Sequence, residues 1–208
     1  MRRYAFFFLL FVLFPLLSAQ SFAESPRDCV VRAGQAIDSA DATLFTDNVY
    51  LDALVANGLD DFFADIERPE VARDLPPLLA LLVSRMHDPG QKQVLRKLLA
   101  NELTAYILDG VASGAFAGRR KVAPKGSMLA PLFANASTGR KELIQIGEGE
   151  THKEGTLVPC TLLDYGNGME YPLDLLVQDV DGRLMVTEVH NLRELFARLR
   201  EEAKQFTE

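Results

Sequence analysis

The chain has 208 residues, 48% of them hydrophobic and 25% charged, with 29 acidic against 22 basic side chains and a net charge of −7. That apolar content is enough for one domain with its own core. The acidic balance excludes ordinary nucleic-acid binding, whose affinity comes largely from cations that neutralise phosphates.

The first element is an export signal. Met1, Arg2, Arg3 and Tyr4 form a short positive region, and an unbroken apolar run follows from Ala5 to Leu17. That run is too short to span a ~30 Å hydrocarbon core as a helix. Ser21 and Ala23 occupy the −3 and −1 places of a small-x-small cleavage site, which puts the cut before Glu24. Residues 1–23 are therefore read as a removable signal peptide, and 24–208 as a single domain, periplasmic or secreted. Losing Arg2 and Arg3 leaves 20 basic residues against 29 acidic ones, a mature charge of −9. No later apolar run approaches membrane-spanning length, so no transmembrane segment is expected in the mature chain. Its two cysteines, Cys29 and Cys160, would meet an oxidising compartment, and one disulfide between them is expected. Spacing alone does not bring their Cα atoms within ~7 Å, so two buried free thiols stay open as the alternative. There is no C-x-x-C, hence no support for a thioredoxin-type site or attached c-type haem.

The first half of the mature chain reads as helical. Ser25 and Pro26 suit the N-cap and first position of a helix whose inner face holds Val30, Ala33 and Ile37, and Asp28 favours its positive end. Asp41 can cap a second short helix with Leu44 and Phe45. A third segment over 51–66 presents Leu51, Leu54, Val55, Leu59, Phe62 and Phe63, and Arg68-Pro69 ends it. Another apolar helix is expected over 75–86. The longest starts at Asp88-Pro89, with Leu95, Leu99, Leu103, Ile107 and Val111 spaced by four and Val94, Leu98 and Tyr106 beside them. Gly110, Gly114 and Gly118 loosen its end.

After Thr138-Gly139 the period changes to two. Ile144 and Ile146 suggest a first strand, and Val158, Cys160 and Leu162 a second, in which Pro159 implies a bulge or an edge. Met169, Tyr171, Leu173, Leu175 and Val177 alternate in a third. Gly166-Asn167-Gly168 turns the second strand into the third, and Asp181-Gly182 is a two-residue hairpin signal into a fourth over 184–189. A last helix is expected with Asn191 as cap, Glu194 at its third position, and Leu192, Leu195, Phe196 and Leu199 as its stripe. The order predicts an α+β fold, with N-terminal helices packed on a curved antiparallel sheet of about four strands and a C-terminal helix.

Two stretches carry a family resemblance. Ala36-Ile37-Asp38-Ser39-Ala40-Asp41-Ala42-Thr43-Leu44-Phe45 resembles the helix, small residue, Asp, second helix opening of nuclear-transport-factor-2-like and cystatin-like cone folds. Residues 175–189 resemble their last hairpin. The resemblance implies helices lying in the hollow of a curved sheet. Periplasmic phospholipid-shuttle proteins of the Mla type look similar in length, export signal and closing hairpin, although this chain lacks the aromatic-rich last strand of that pattern.

Signatures of catalysis are missing from the sequence: no His-Glu-x-x-His, no Gly-x-Ser-x-Gly, no phosphate-cradling loop and no dinucleotide fingerprint. Gly147-Glu148-Gly149 reads as a turn. His87 sits at a helix end beside Asp88, His152 in a polar loop with Glu148, Glu150 and Glu154, and His190 before the last helix. The acidic run Asp60, Asp61, Asp65 and Glu67 offers paired carboxylates for acid–base work, but an exposed helix face explains it without function. Asp179-x-Asp181-Gly182 resembles the start of a calcium loop and fits a hairpin turn better. Lys125-Gly126-Ser127 invites a serine–lysine reading, with a helix cap as the plain alternative. Asn135-Ala136-Ser137 is a glycosylation sequon. The cationic group Arg119, Arg120 and Lys121 stands out against the acidic background and is the candidate binding site for an anionic ligand, a lipid headgroup or an acidic partner. The expected function is that of a non-enzymatic binding or interaction module without a cofactor, meeting an envelope protein or an anionic or apolar small molecule. A phospholipid carrier and a hydrolase are the alternatives. Leu99, Leu103, Ile107, Tyr171, Leu173 and Leu175 are bulky enough to fill the interior, which favours a closed core over a large pocket.

Overall fold

The structure, a computed structural model, describes residues 24–68, 71, 80–81, 88–119 and 139–205. Five helices are described: α1 (Pro26–Ser39), α2 (Ala42–Asn48), α3 (Leu51–Ile66), α4 (Pro89–Ala112) and α5 (Leu192–Gln205). Their starts follow from side-chain caps. Ser25 Oγ accepts from the Asp28 amide at 3.1 Å while Asp28 reaches back to the Ser25 amide, a reciprocal box that satisfies two amides at once. The Ser25 hydroxyl, donating to Asp28 Oδ2 at 2.7 Å, and then the Ser25 amide hold the Asp28 carboxyl below its ordinary range. Asp41 accepts from the Leu44 amide at 2.9 Å, and Asp88 from the amides of Gly90 and Gln91. The helix expected over 75–86 lies outside the described residues, apart from Ala80 and Leu81.

The strands are β1 (Lys141–Ile144), β2 (Glu150–His152), β3 (Gly155–Asp164), β4 (Met169–Val180) and β5 (Arg183–Val189). They form one curled antiparallel sheet in the order β1-β3-β4-β5, with β2 beside β1 on the same edge of β3. Strand β2 was not expected. It forms by hairpin with β3, its Thr151 opposite Thr156.

Pro159 explains why two short strands share that edge. It pairs in register with Asp174 of β4, without a bulge. On its other side β1 covers 161–164 and β2 covers 155–157. Its missing N–H falls in the break between them, where the Pro159 carbonyl takes the Gly147 amide at 2.8 Å. The bulge occurs instead at Leu176/Val177 against β5, so Leu175, Leu176 and Val177 are all buried in succession. The hairpin at Asp181-Gly182 has φ of 53° and 81°, the double left-handed geometry that the Asp-Gly pair favours.

Helix α1 packs against β1, β3, β4 and β5. Its Cys29, Val30, Ala33 and Ala36 join Phe45, Val49, Val158, Cys160, Leu173, Leu175, Val177 and Val186 in the main core. A second cluster joins α3 to α4 through Val55, Leu59, Phe63, Ile66, Leu95 and Leu99. Leu99 therefore packs on α3, and the short side chains of α1 meet the sheet where the sequence pattern pointed to α4. Ile107 touches both clusters. The Tyr50 amide donates to Val186 O at 2.9 Å, and α3 then packs on β5, which covers that sheet edge.

Two expectations are corrected. Asn191 does not spend its side chain on α5. Its oxygen accepts from the Asp174 amide at 3.0 Å and its amide donates to Pro172 O at 3.0 Å, which pins the start of α5 to β4. The Cys29–Cys160 disulfide is not formed: both are free and buried. Cys29 Sγ lies 3.3 Å from Asn48 O and 3.2 Å from Leu184 O. Those contacts need an S–H, which a disulfide sulfur lacks.

Glycine is required at position 155. A Cβ there would stand 2.4 Å from the Val177 carbonyl oxygen, a backbone atom held in the β3–β4 pairing. Gly155→Ala is expected to lower unfolding stability by roughly 1–3 kcal/mol, although alanine ordinarily relieves the entropy cost of a glycine. Urea denaturation checks it, and a neutral or stabilised variant contradicts the packing described.

Candidate functional site

Arg119, the first residue of the expected cationic site, lies just past α4. A left-handed Gly114 at φ 71° lets the chain reverse, and Arg119 N donates back to Gly114 O at 2.8 Å. The guanidinium then reaches the last turn of α1, donating to Asp38 O at 2.9 Å and Ser39 O at 3.5 Å. A cation on the unpaired carbonyls of a helix C-terminus is favourable through both hydrogen bonds and the helix dipole. Arg120 and Lys121 lie outside the described residues, as do His87, Lys125, Ser127 and the sequon at 135–137. The structure thus brings Arg119 to a helix end and leaves the rest of the expected trio undescribed.

Around Arg119 the fold assembles residues that no local spacing joins. Arg140 pairs with Asp38 at 3.3 Å and with Glu142 at 3.2 Å. Its guanidinium carbon stands 5.4 Å from the centroid of the Tyr165 ring, a cation–π distance. Tyr165 donates its hydroxyl to Glu142 at 2.8 Å, and that bond raises the phenol above its ordinary range. Nearby, Lys141 pairs with the buried Asp164 at 2.8 Å, and Asp164 also accepts from the Gly166 amide. The result is a surface of alternating charge with a half-exposed aromatic ring, Tyr165 being 53% exposed. Within this surface Arg119 and Arg140 already hold oxygen acceptors of the chain itself.

The acidic run has a different role. Arg96 grips Asp60 through both guanidinium nitrogens, Arg193 Nε meets Asp61 at 2.6 Å, and Lys92 meets Glu67 at 2.9 Å. Asp65, only 5% exposed, is contacted by Arg200 and by Arg68 at 3.4 Å. All of these cations except Arg68, which lies just past α3, come from α4 and α5, so the run ties α3 to both neighbours. Each carboxylate of the run is thus engaged by a cation within the chain. Phe62 supports the same seam, its ring 6.2 Å from that of Phe196 on α5.

His152 and His190, far apart in sequence, meet at a ring separation of 5.0 Å, and His190 Nδ1 lies 3.0 Å from Glu188. Among the described residues no group of three or more His, Cys, Asp or Glu side chains is placed to hold a metal ion. Asp179 accepts from the Gly182 amide at 2.7 Å, which is the hairpin role. Gly147 and Gly149 lie in the link between β1 and β2. Among the described residues, no helix is long and apolar enough to cross a membrane.

Comparison of the chain with protein-family models, with curated proteins and with solved structures finds no match.

Proposed function

We propose that the protein is exported to the periplasm and acts there as a non-enzymatic binding or interaction module, meeting its partner at the surface around Arg119, Arg140 and Tyr165. One observation carries this reading. The sheet face that a carrier would open to a guest is packed with the chain's own side chains from α1, among them the fully buried Cys29, Val30 and Ala36. A second supports it: the carboxylates of the acidic run, the candidate acid–base groups among the described residues, are each engaged by a cation. Export rests on the sequence of residues 1–23, and a cut before Glu24 leaves the Ser25–Asp28 cap of α1 intact.

Native mass spectrometry of the mature protein after mild purification tests the proposal. The expected mass is that of polypeptide alone, with no lipid retained. A stoichiometric phospholipid would overturn it in favour of a carrier. Turnover in a hydrolase screen that is abolished by Asp61→Asn or Ser127→Ala would overturn it in favour of an enzyme.

A further inference from the structure

Helix α4 carries a second seam besides the one it buries. Leu95 and Leu99 turn inward, while Gln91, Val94, Leu98, Asn101 and Ala105 are all exposed, Val94 at 71% and Leu98 at 36%. Their spacing alternates three and four residues. That is the heptad rule, with Gln91, Leu98 and Ala105 at a positions and Val94 and Asn101 at d. A helix that merely caps a core needs one apolar stripe and a charged outer face. Here the charges flank the outer stripe instead, Lys97 at g and Glu102 at e.

That charge pattern is self-complementary in one orientation. In a parallel pair of helices a g residue meets the e residue five positions further along the other chain. Lys97 would then meet Glu102 of the partner subunit, twice by symmetry. An antiparallel pair would set g against g and e against e, which brings together like charges. Glu102 has interactions inside its own chain, but a carboxylate offers about four acceptor sites, so the added contact does not require it to be free.

We propose that a second copy of this chain docks along α4 in parallel, about a two-fold axis, with Val94 and Leu98 at the centre and Asn101 facing Asn101 of the partner subunit. A polar pair within an otherwise apolar seam disfavours registers that would set Asn101 against Val94 or Leu98. The seam is only two heptads long, so the dimer is weak, with a Kd on the order of 100 µM. The surface around Arg119 plays no part in it.

Sedimentation equilibrium of the mature protein over roughly 10–500 µM tests this. A monomer–dimer equilibrium is expected, abolished by Val94→Asp or Leu98→Asp. Both side chains are exposed, so far-UV circular dichroism should stay unchanged. Lys97→Glu should weaken association about tenfold, and adding Glu102→Lys should restore it to within about threefold. Under mild diamide oxidation, Asn101→Cys should yield a covalent dimer, while Gln93→Cys, off the seam, should not. A wild-type monomer across the whole range overturns the proposal. So does a dimer indifferent to Leu98→Asp, or one that Asn101→Cys fails to trap.

Discussion

Native protein at pH 8 should take up no alkylating reagent at either cysteine within a time that labels an exposed thiol completely, and both should label after denaturation without prior reduction. Burial raises the Cys29 thiol to about 11. Burial, with the Asp174 charge adding to it, raises Cys160 to about 12. The attacking species is the thiolate. At pH 8 these values leave about one part in a thousand and one in ten thousand ionised, against about a quarter for an ordinary thiol near 8.5. A thiolate of higher pKa is the better nucleophile, which returns part of that loss, so reaction should be at least about tenfold slower than at an exposed cysteine before the loss of access is counted. A non-reduced mass lower by two hydrogens, or rapid labelling of the native state, would contradict the free buried thiols. The same shifts set an alkaline limit. Each group's folded value lies above its unfolded value of 9.0. The unfolded chain releases these protons first, so their contribution is fully present below pH 9 and is lost as pH rises toward 11–12.

The disulfide expectation shows where the sequence stops being informative. Compartment and cysteine count argue for a bridge, but the decision rests on what each sulfur touches. Cys29 donates to carbonyls at Asn48 and Leu184 that lie 19 and 155 residues away. No spacing rule reaches that far. Short-range chemistry was legible, by contrast. Ser25, Asp41 and Asp88 mark helix starts because a side-chain oxygen and an orphan amide meet within three residues, and Asp181-Gly182 marks its hairpin because both residues take positive φ. β2 was illegible because Glu150, Thr151 and His152 carry no apolar alternation. They pair through the tight hairpin that sets His152 opposite Gly155, on the stretch of the β3 edge that β1 leaves uncovered.

The site divides along the same line. Arg119 stands out in the sequence by its contrast with an acidic chain, but its partners Asp38 and Ser39 sit some eighty residues earlier. Arg140 and Tyr165 belong to no motif in the sequence. The only local hint was Gly139 and Gly166, glycines one residue from each. A Cβ on Gly139 would stand 2.1 Å from Gly166 N, and that close crossing brings the neighbouring side chains together. The acidic run was visible as a run, yet its meaning came from cations on α4 and α5, up to 135 residues away for Asp65 and Arg200.

Those ion pairs should differ sharply in what they contribute, and burial sets the order. The Arg200 side chain is 29% exposed and that of Asp65 only 6%, so Asp65 has little water to turn to. Arg200→Met keeps the aliphatic stem and removes the charge. It leaves Asp65 with Arg68 alone, whose side chain is 54% exposed at 3.4 Å. Breaking a buried pair from one side costs about 3 kcal/mol, because the remaining charge is uncompensated. For a domain of this size that lowers Tm by roughly 6–12 °C. Asp65→Asn should cost less, since the two cations it strands can hydrate. The double variant Asp65→Asn/Arg200→Met should fall well short of the sum, because the second change removes the charge that the first change isolates. Asp60–Arg96 and Glu67–Lys92 tie the same α3 segment to α4 instead, and both partners of each pair are more than a third exposed. Arg96→Met and Lys92→Met should each cost less than about 1 kcal/mol. Thermal denaturation of the five variants tests the ranking. If Arg96→Met proved as damaging as Arg200→Met, burial would not be what separates these pairs. The clamp between α3 and α5 would then owe its strength to Phe62, Phe196 and the apolar seam around them.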